Sequence, residues 1–140
     1  MLNDAFKIAM NEYGNRSIPG KNANKEILKY YKDIGFGWVQ DDDLAWCAGF
    51  MNWCLKKANK PFLKSLTARD FLKYGQKIKE PEMGDIVVLW RISPKSIYGH
   101  TGFYICERGN TVYILGGNQS EMVDIAPFPK TQILDYRRIV

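Results

Sequence analysis

The spacing of apolar residues predicts that helices occupy the first half of the chain. Apolar side chains recur at helical spacing over residues 2–13, which predicts a first helix. A second is predicted over residues 26–34, with Asn24 placed to cap its start. A third covers the strongly apolar residues 44–58, directly after the aspartates at 41–43, whose carboxylates suit a helix N-terminus. The first half is therefore predicted to be helical.

The second half of the chain follows a strand pattern. After a short helix that Thr67 opens through a variant capping box and Gly75 closes, residues 86–90 form a β-branched run typical of a buried strand. A tight turn at 108–110 predicts a hairpin. The other predicted strands are 101–107, 111–115, 121–125 and 134–139. Helices followed by hairpin-linked strands predict an α+β fold, with N-terminal helices packed on one face of an antiparallel sheet.

Composition narrows the class of protein. With 140 residues, 46% hydrophobic and 25% charged, the chain fits one globular domain. No apolar run approaches the ~18 residues of a membrane span. The odd count of three cysteines without a Cys-x-x-Cys pair, and the single histidine, suggest neither a disulfide framework nor a metal site, and no cofactor is expected. The net charge of +5 is a mild bias that suits an anionic polymer or simply a solvated basic face; no nucleic acid is expected as a partner.

Cys47 is the candidate nucleophile. It lies about one turn into the third predicted helix, where the positive end of the helix dipole favours a thiolate. The small residues Ala48 and Gly49 leave room beside it for a substrate carbonyl. The alternative is a buried core thiol, which is the commoner fate of a cysteine. Cys54 and Cys106, within a helix and a strand, are assigned to the core.

His100 is the chain's only histidine, so any imidazole chemistry must pass through it. It begins a predicted strand between Gly99 and Gly102, and imidazole is the usual partner of a cysteine nucleophile. Counting outward from the hairpin turn places Asn118 opposite His100. Its carboxamide is predicted to accept the Nδ1–H and leave Nε2 facing the thiol. The alternative is that Gly-Gly-Asn-Gln at 116–119 is merely a turn.

These residues lie in four segments, DDLAWCAGFMNWC at 42–54, PEMGDIVVL at 81–89, GHTGFY at 99–104 and LGGNQ at 115–119. In this order, the segments resemble a known family, the small CHAP-like proteins of the wider NlpC and papain-like cysteine peptidase superfamily. The resemblance implies a papain-like fold, with Cys47 as nucleophile, His100 as base and Asn118 as the orienting residue. It also implies hydrolysis of amide bonds in bacterial peptidoglycan. Many CHAP domains carry an acidic residue two places before the asparagine, and that position is Gly116 here.

The resemblance sets further expectations. Residues 1–140 form a single catalytic domain, in which 1–40 are a helical N-terminal extension and 41–140 the motif-bearing core. Trp46, Trp38, Tyr98 and Gly99 are expected to contact a glycan-peptide substrate. The protein is expected to be monomeric. Since no secretory signal is visible at the start, it is expected to be made in the cytoplasm and to reach the wall by phage-type release or specialised secretion.

Two other functions stay open at this point. A lysozyme-like glycosidase needs two carboxylates across a cleft, and Glu82 and Asp85 are the candidates. A non-catalytic cell-wall-binding module would use Cys47 only for packing.

Overall fold

The computed structural model describes residues 2–17, 24–39 and 46–140. The helices are α1 (Asp4–Asn11), α2 (Lys25–Asp33) and α3 (Cys47–Lys57), followed by a short 3-10 helix (Ala68–Lys73). The strands are β1 (Gln76–Ile78), β2 (Ile86–Trp90), β3 (Gly99–Arg108), β4 (Thr111–Gln119), β5 (Met122–Pro129) and β6 (Ile133–Arg138). Within the part of the chain so described, no helix has the length and apolarity to span a membrane.

The strands form one six-stranded sheet in the order β1-β6-β2-β3-β4-β5, and the paired strands are antiparallel. This confirms the predicted α+β fold. Irregular pairing interrupts β3 and β4 between Tyr104 and Cys106, and β4 and β5 between Gly116 and Gln119. A bulge inserts an extra residue into one strand and changes which side chains face each other beyond it. The second irregularity lies beside the candidate site.

Side-chain caps explain the starts of the first two helices. The Asn3 Oδ1 accepts the Phe6 N–H at 2.8 Å, and the Asn24 Oδ1 accepts the Glu26 N–H at 2.9 Å, which confirms Asn24 as a cap. α3 begins at Cys47 rather than at 44, while the aspartates at 41–43 lie outside the described residues.

The predicted capping box at Thr67 is wrong, because this side chain makes no capping hydrogen bond. The hydroxyl of Ser65 replaces it. This hydroxyl accepts the Thr67 N–H at 3.0 Å and binds the Asp70 carboxylate at 2.6 Å.

Most of the core lies between the helices and one face of the sheet. In β2, Ile86 and Val88 point into this main core, while Val87 and Leu89 point to the opposite face. There they join a smaller cluster built from sheet residues alone. The strand is therefore buried on both faces, as its uninterrupted apolar run predicts.

The two cysteines that the sequence assigned to the core differ in burial. Cys54 is fully buried in α3, as predicted. Cys106 is exposed, so its assignment to the core was wrong. It directly follows the irregular pairing in β3, where the regular alternation of buried and exposed side chains breaks down.

Candidate active site

Close packing of α3 against β4 sets the position of Cys47. A Cβ atom built on Gly117 would lie 2.7 Å from the Trp46 ring and 2.8 Å from the Phe50 Cβ, so only glycine allows this approach. Trp46 directly precedes the helix and is fully buried against the Tyr30 ring, with ring centroids 5.8 Å apart. The first residue of α3 is thereby held in the main core, with Cys47 only 5% exposed.

The backbone at the start of α3 supplies donors. The bond from the Phe50 N–H to the Trp46 carbonyl, at 2.9 Å, is the first of the helix, so the amides of residues 47–49 have no partner within it. Their N–H groups form the positive end of the helix dipole. The backbone of Ala48 and Thr101 interacts favourably with the ionised Cys47 sulfur and lowers its pKa. This environment favours a thiolate.

His100 is buried at the start of β3, and its ring is held by Gln119. The Nε2 atom lies 2.9 Å from the Gln119 Oε1. The Gln119 amide nitrogen donates to the carbonyl oxygens of Ile114, at 3.0 Å, and Asp124, at 2.7 Å. With both amide protons used, the Oε1 must be the atom that faces the ring, so the Nε2 carries the proton. The Nδ1 is then left to hydrogen-bond Cys47.

The Cys47 thiol and His100 imidazole form a coupled pair. Burial opposes ionisation of the thiol, but the charge and hydrogen bond of His100 outweigh it, and the Cys47 pKa is lowered. Burial likewise opposes the imidazolium, yet the charge and hydrogen bond of Cys47 raise the His100 pKa, and the Gln119 hydrogen bond adds to this effect. The two shifts together favour a thiolate–imidazolium pair, which is the reactive form of a cysteine nucleophile.

The hydrogen bond expected for Asn118 is made by its neighbour Gln119. Asn118 has a φ of +57°, in the left-handed region, and lies within the irregular pairing between β4 and β5. This conformation breaks the alternation of side chains along the strand, and the side chain of Gln119 reaches His100. The ring nitrogens are also reversed from the prediction, because Nε2 rather than Nδ1 faces the carboxamide.

Gly116 explains how Gln119 fits. A Cβ atom on Gly116 would lie 2.5 Å from the Gln119 Oε1. The position that holds an acidic side chain in many CHAP domains is empty here, and the carboxamide of Gln119 occupies the adjacent space. The absence of a side chain at residue 116 is the sequence signal from which a different partner for His100 could have been inferred.

The aromatic residues expected to contact substrate differ in exposure. Trp46 belongs to the core, so its prediction as a groove wall was wrong. Trp38 is 71% exposed and Tyr98 is 55% exposed, so both are accessible at the surface. Gly99 packs tightly, since a Cβ there would lie 2.9 Å from the Leu89 carbonyl oxygen and 3.0 Å from the Arg69 side chain.

A groove of about 560 Å³ opens beside His100. The imidazole stacks on Phe128 within it, with ring centroids 5.1 Å apart. Asn118 and Gln119 line the groove, and so does the guanidinium-bearing Arg91. The groove therefore reaches the imidazole, the oriented carboxamide and one cation.

Glu82 and Asp85 both form ion pairs with the same arginine, Arg138. Arg138 binds both oxygens of the buried Asp85 carboxylate, at 3.0 and 2.8 Å, and lies 3.6 Å from Glu82. The Asp85 carboxylate also accepts the Glu82 N–H at 2.7 Å. This is an ion-paired turn rather than a pair of carboxylates facing each other across a cleft, and it does not support a glycosidase site. No group of three or more His, Cys, Asp or Glu residues suited to a metal is present in ranges 2–17, 24–39 and 46–140.

Solved structures with a similar fold belong to the NlpC and P60 group. NlpC1 from Trichomonas vaginalis aligns over 96% of this chain and 42% of its own, with a TM-score of 0.56 and 17% identity. A protein of the NLP/P60 family from Staphylococcus aureus, described as similar to a lipoprotein, aligns over 100% of this chain and 43% of its own, with a TM-score of 0.51 and 18% identity. The chain thus spans less than half the length of these two proteins. At such identities the likeness shows the fold alone, which is the papain-like α+β fold.

Sequence comparison identifies the family. No curated protein sequence matches the chain. The family model of the CHAP domain matches residues 39–118, more than half of the chain, including both Cys47 and His100. This protein therefore belongs to the CHAP domain family, a family of the peptidoglycan-hydrolase type.

Proposed function

We propose that this protein is a cysteine-dependent amide hydrolase, an endopeptidase or amidase, that cleaves bacterial peptidoglycan through a thioester intermediate. Cys47 is the nucleophile and His100 the general acid and base. Gln119 takes the positioning role that the sequence suggested for Asn118. The observation that carries the proposal is the contact between the Cys47 thiol at a helix N-terminus and an imidazole whose other nitrogen is held by Gln119.

Acylation uses the proton already on His100. The Cys47 thiolate attacks the carbonyl carbon of the substrate amide and forms a C–S bond. The His100 Nδ1–H then protonates the amide nitrogen, the C–N bond breaks, and the amine leaves. A thioester on Cys47 and a neutral imidazole remain.

Deacylation reverses the proton transfer. The neutral Nδ1 of His100 takes a proton from a water molecule, whose oxygen attacks the thioester carbonyl. The C–S bond breaks, the carboxylic acid product leaves, and the thiolate–imidazolium pair is restored. Throughout both steps Gln119 keeps the Nε2 protonated, so the Nδ1 is always the atom that exchanges the proton.

The start of α3 is suited to stabilise the negative charge that develops on the substrate oxygen. The Cys47 amide lies before the first helical hydrogen bond and next to the attacking sulfur. A backbone N–H at a helix N-terminus is a fixed dipole that needs no reorganisation during the reaction. We assign the oxyanion contact to this amide.

The test is mass spectrometry of purified peptidoglycan fragments after incubation with wild type and with Cys47→Ala. Wild type is expected to release products with one new amine and one new carboxyl group, and the variant to lose at least about a thousandfold in rate, as removal of a nucleophile does. Cys106→Ser is the matched control, because it removes an exposed thiol far from His100 in β3 and should retain activity.

Two results contradict the proposal. If wild type and Cys47→Ala release the same products at the same rate, Cys47 is not the nucleophile. New reducing sugar ends that vanish in Glu82→Gln would instead support the glycosidase.

A further inference from the structure

Arg91 lies in the groove beside His100, and its side chain does not help to hold the described part of the fold together. Among the described residues that line the groove, Arg91 is the only arginine or lysine, and no acidic side chain is present. Its guanidinium makes no hydrogen bond or ion pair with any residue described in the structure. By contrast, Arg69, Arg137 and Arg138 are each bound by two or more partners. Arg91 is thus exposed at the groove with all its donors available.

The loop that carries Arg91 is held in one conformation. The Arg69 guanidinium donates four hydrogen bonds into this loop, to the carbonyls of residues 93, 94 and 98 and the Ser96 hydroxyl, at 2.8–3.3 Å. The Ser96 hydroxyl also donates to the Arg91 carbonyl. These bonds fix the backbone from which the Arg91 side chain extends.

Local strain marks the same loop. Ile92 has a φ of +71°, which a β-branched residue rarely adopts, and the Ser93 N–H donates to the Arg91 carbonyl across it at 2.8 Å. Ile92 is 79% exposed and gains no core packing in return. Strained backbone of this kind persists where surrounding bonds enforce it, and such residues cluster at ligand sites. Here it lies in the groove next to the free guanidinium.

We propose that this groove is a binding subsite for a carboxylate of the peptide substrate, which Arg91 holds beside His100. The planar guanidinium matches a carboxylate with two parallel hydrogen bonds. The amides of Asn118 and Gln132 line the same groove and add neutral donors, and Phe128 supplies an apolar floor. The subsite rests on the proposed function, since it assigns the substrate as a peptide with a free carboxylate near the scissile amide.

The charge of Arg91 also acts on His100. It opposes the imidazolium and works to lower the His100 pKa. A bound carboxylate offsets this positive charge, so it favours the protonated imidazole that acylation requires. The subsite therefore links recognition of the substrate to the protonation state of the catalytic pair.

The experiment measures binding rather than turnover. Two synthetic peptidoglycan stem peptides of identical sequence are compared, one with free carboxylates and one with every carboxyl group converted to a primary amide. Each is titrated by calorimetry into the inactive Cys47→Ala protein. We expect about tenfold tighter binding of the carboxylate form, the range of a hydrogen bond to a charged group, and a ratio that falls as salt rises.

Paired variants test the role of Arg91. In the Cys47→Ala background, Arg91→Gln is expected to bring the affinity ratio close to one. Arg108→Gln removes another exposed arginine, at the β3–β4 turn and outside the groove, and should keep the ratio. Circular dichroism verifies that each variant is folded.

The binding measurements either support or contradict the Arg91 subsite. Equal affinity for both peptides, no binding of either, or a preference that survives Arg91→Gln overturns the subsite. Failure of the proposed function has a different signature, which is the absence of amide cleavage by the wild-type protein.

Discussion

Three cysteines in this chain have the same side chain and three different environments. The Cys47 pKa is lowered because His100 and backbone amides outweigh burial. The Cys54 pKa is raised well above its usual value by burial among apolar groups. Cys106 is exposed on β3. At the residue scale, reactivity therefore depends on the groups that surround a thiol and not on burial alone.

Alkylation tests this difference. In the Cys106→Ser background, Cys47 is expected to react with iodoacetamide at a pH midpoint below the ~8.5 of an ordinary thiol. His100→Ala should move the midpoint upward, because burial then acts with less opposition. Cys54 should remain unlabelled until the protein is denatured. Intact-mass spectrometry against pH measures all three, and an unchanged midpoint in His100→Ala would contradict the coupled pair.

The pH dependence of kcat/KM follows from the same two shifts. The proposed mechanism requires the Cys47 thiolate and the His100 imidazolium, so activity is expected to fall at low pH as Cys47 is protonated and at high pH as His100 loses its proton. The low-pH limb lies below the ordinary thiol value, and the high-pH limb lies above the ordinary histidine value. A bell-shaped profile measured on a soluble peptide substrate is the expected result.

The same pH profile of activity tells whether Gln119 or Asn118 orients the His100 ring. Gln119→Ala removes a hydrogen bond that raises the His100 pKa, so its high-pH limb should move to lower pH. Loss of ring orientation should also lower kcat by about a hundredfold. Asn118→Gly is the matched control, since glycine accepts the φ of +57° and should leave the limb in place. The reverse outcome would return the orienting role to Asn118.

At the scale of elements, two adjacent glycines join α3 to the sheet. Gly117 lets the start of the helix contact β4, and Gly116 leaves space for the carboxamide of Gln119. The irregular pairing between β4 and β5 then directs this carboxamide to His100. The geometry of the site is therefore a property of the contact between a helix and a strand.

Gly116→Ala tests the space requirement. The backbone of Gly116 is not in the left-handed region, so a methyl group is opposed by contacts rather than by backbone strain. The tightest of these is 2.5 Å to the Gln119 Oε1, and the Thr101 carbonyl oxygen lies 3.3 Å away. We expect loss of activity and the same shift of the high-pH limb as in Gln119→Ala. The double variant should lose little more than either single one, because both remove one interaction.

Gly37→Ala is the control for the comparison of the Gly116 and Gln119 single and double variants. A Cβ atom added at Gly37 would make an ordinary contact of 3.7 Å with the Lys32 side chain. Fully additive losses in the double variant would show that Gly116→Ala acts through something other than Gln119.

At the scale of the whole molecule, one main core joins the helices and the sheet. It contains Phe6 of α1, Tyr30 of α2, Phe50 of α3 and Phe103 of β3. No described helix has a separate apolar cluster of its own. We therefore infer that the N-terminal helices and the motif-bearing residues form a single cooperative unit.

Equilibrium unfolding in urea tests this inference. Tryptophan fluorescence and far-UV circular dichroism should give one coincident transition. Trp46→Ala is expected to lower the free energy of unfolding by about 3–5 kcal/mol, as for other buried large-to-small substitutions. Separate transitions for the two probes would divide the chain into independent units.

Much of the fold was predictable because local patterns carry it. The run at 86–90 is the observed β2, the turn at 108–110 joins β3 and β4, and Asn24 caps α2. The pairing of Cys47 with His100 followed from residue type and from each residue's place at the start of an element. These inferences need only periodicity, capping chemistry and the scarcity of histidine in the chain.

Other features depended on contacts that no local pattern encodes. Irregular pairing in the sheet leaves Cys106 exposed and lets Gln119, rather than Asn118, hydrogen-bond His100. A one-residue change in register reverses the face of every later side chain. Trp46 is buried because Gly117 lets it pack against β4. By itself the sequence determined most of the elements and the fold class, and it singled out Cys47 and His100 as the candidate nucleophile and base. The tertiary structure alone decided which amide orients the imidazole and which cation faces the groove, because both depend on residues brought together from separate strands and loops.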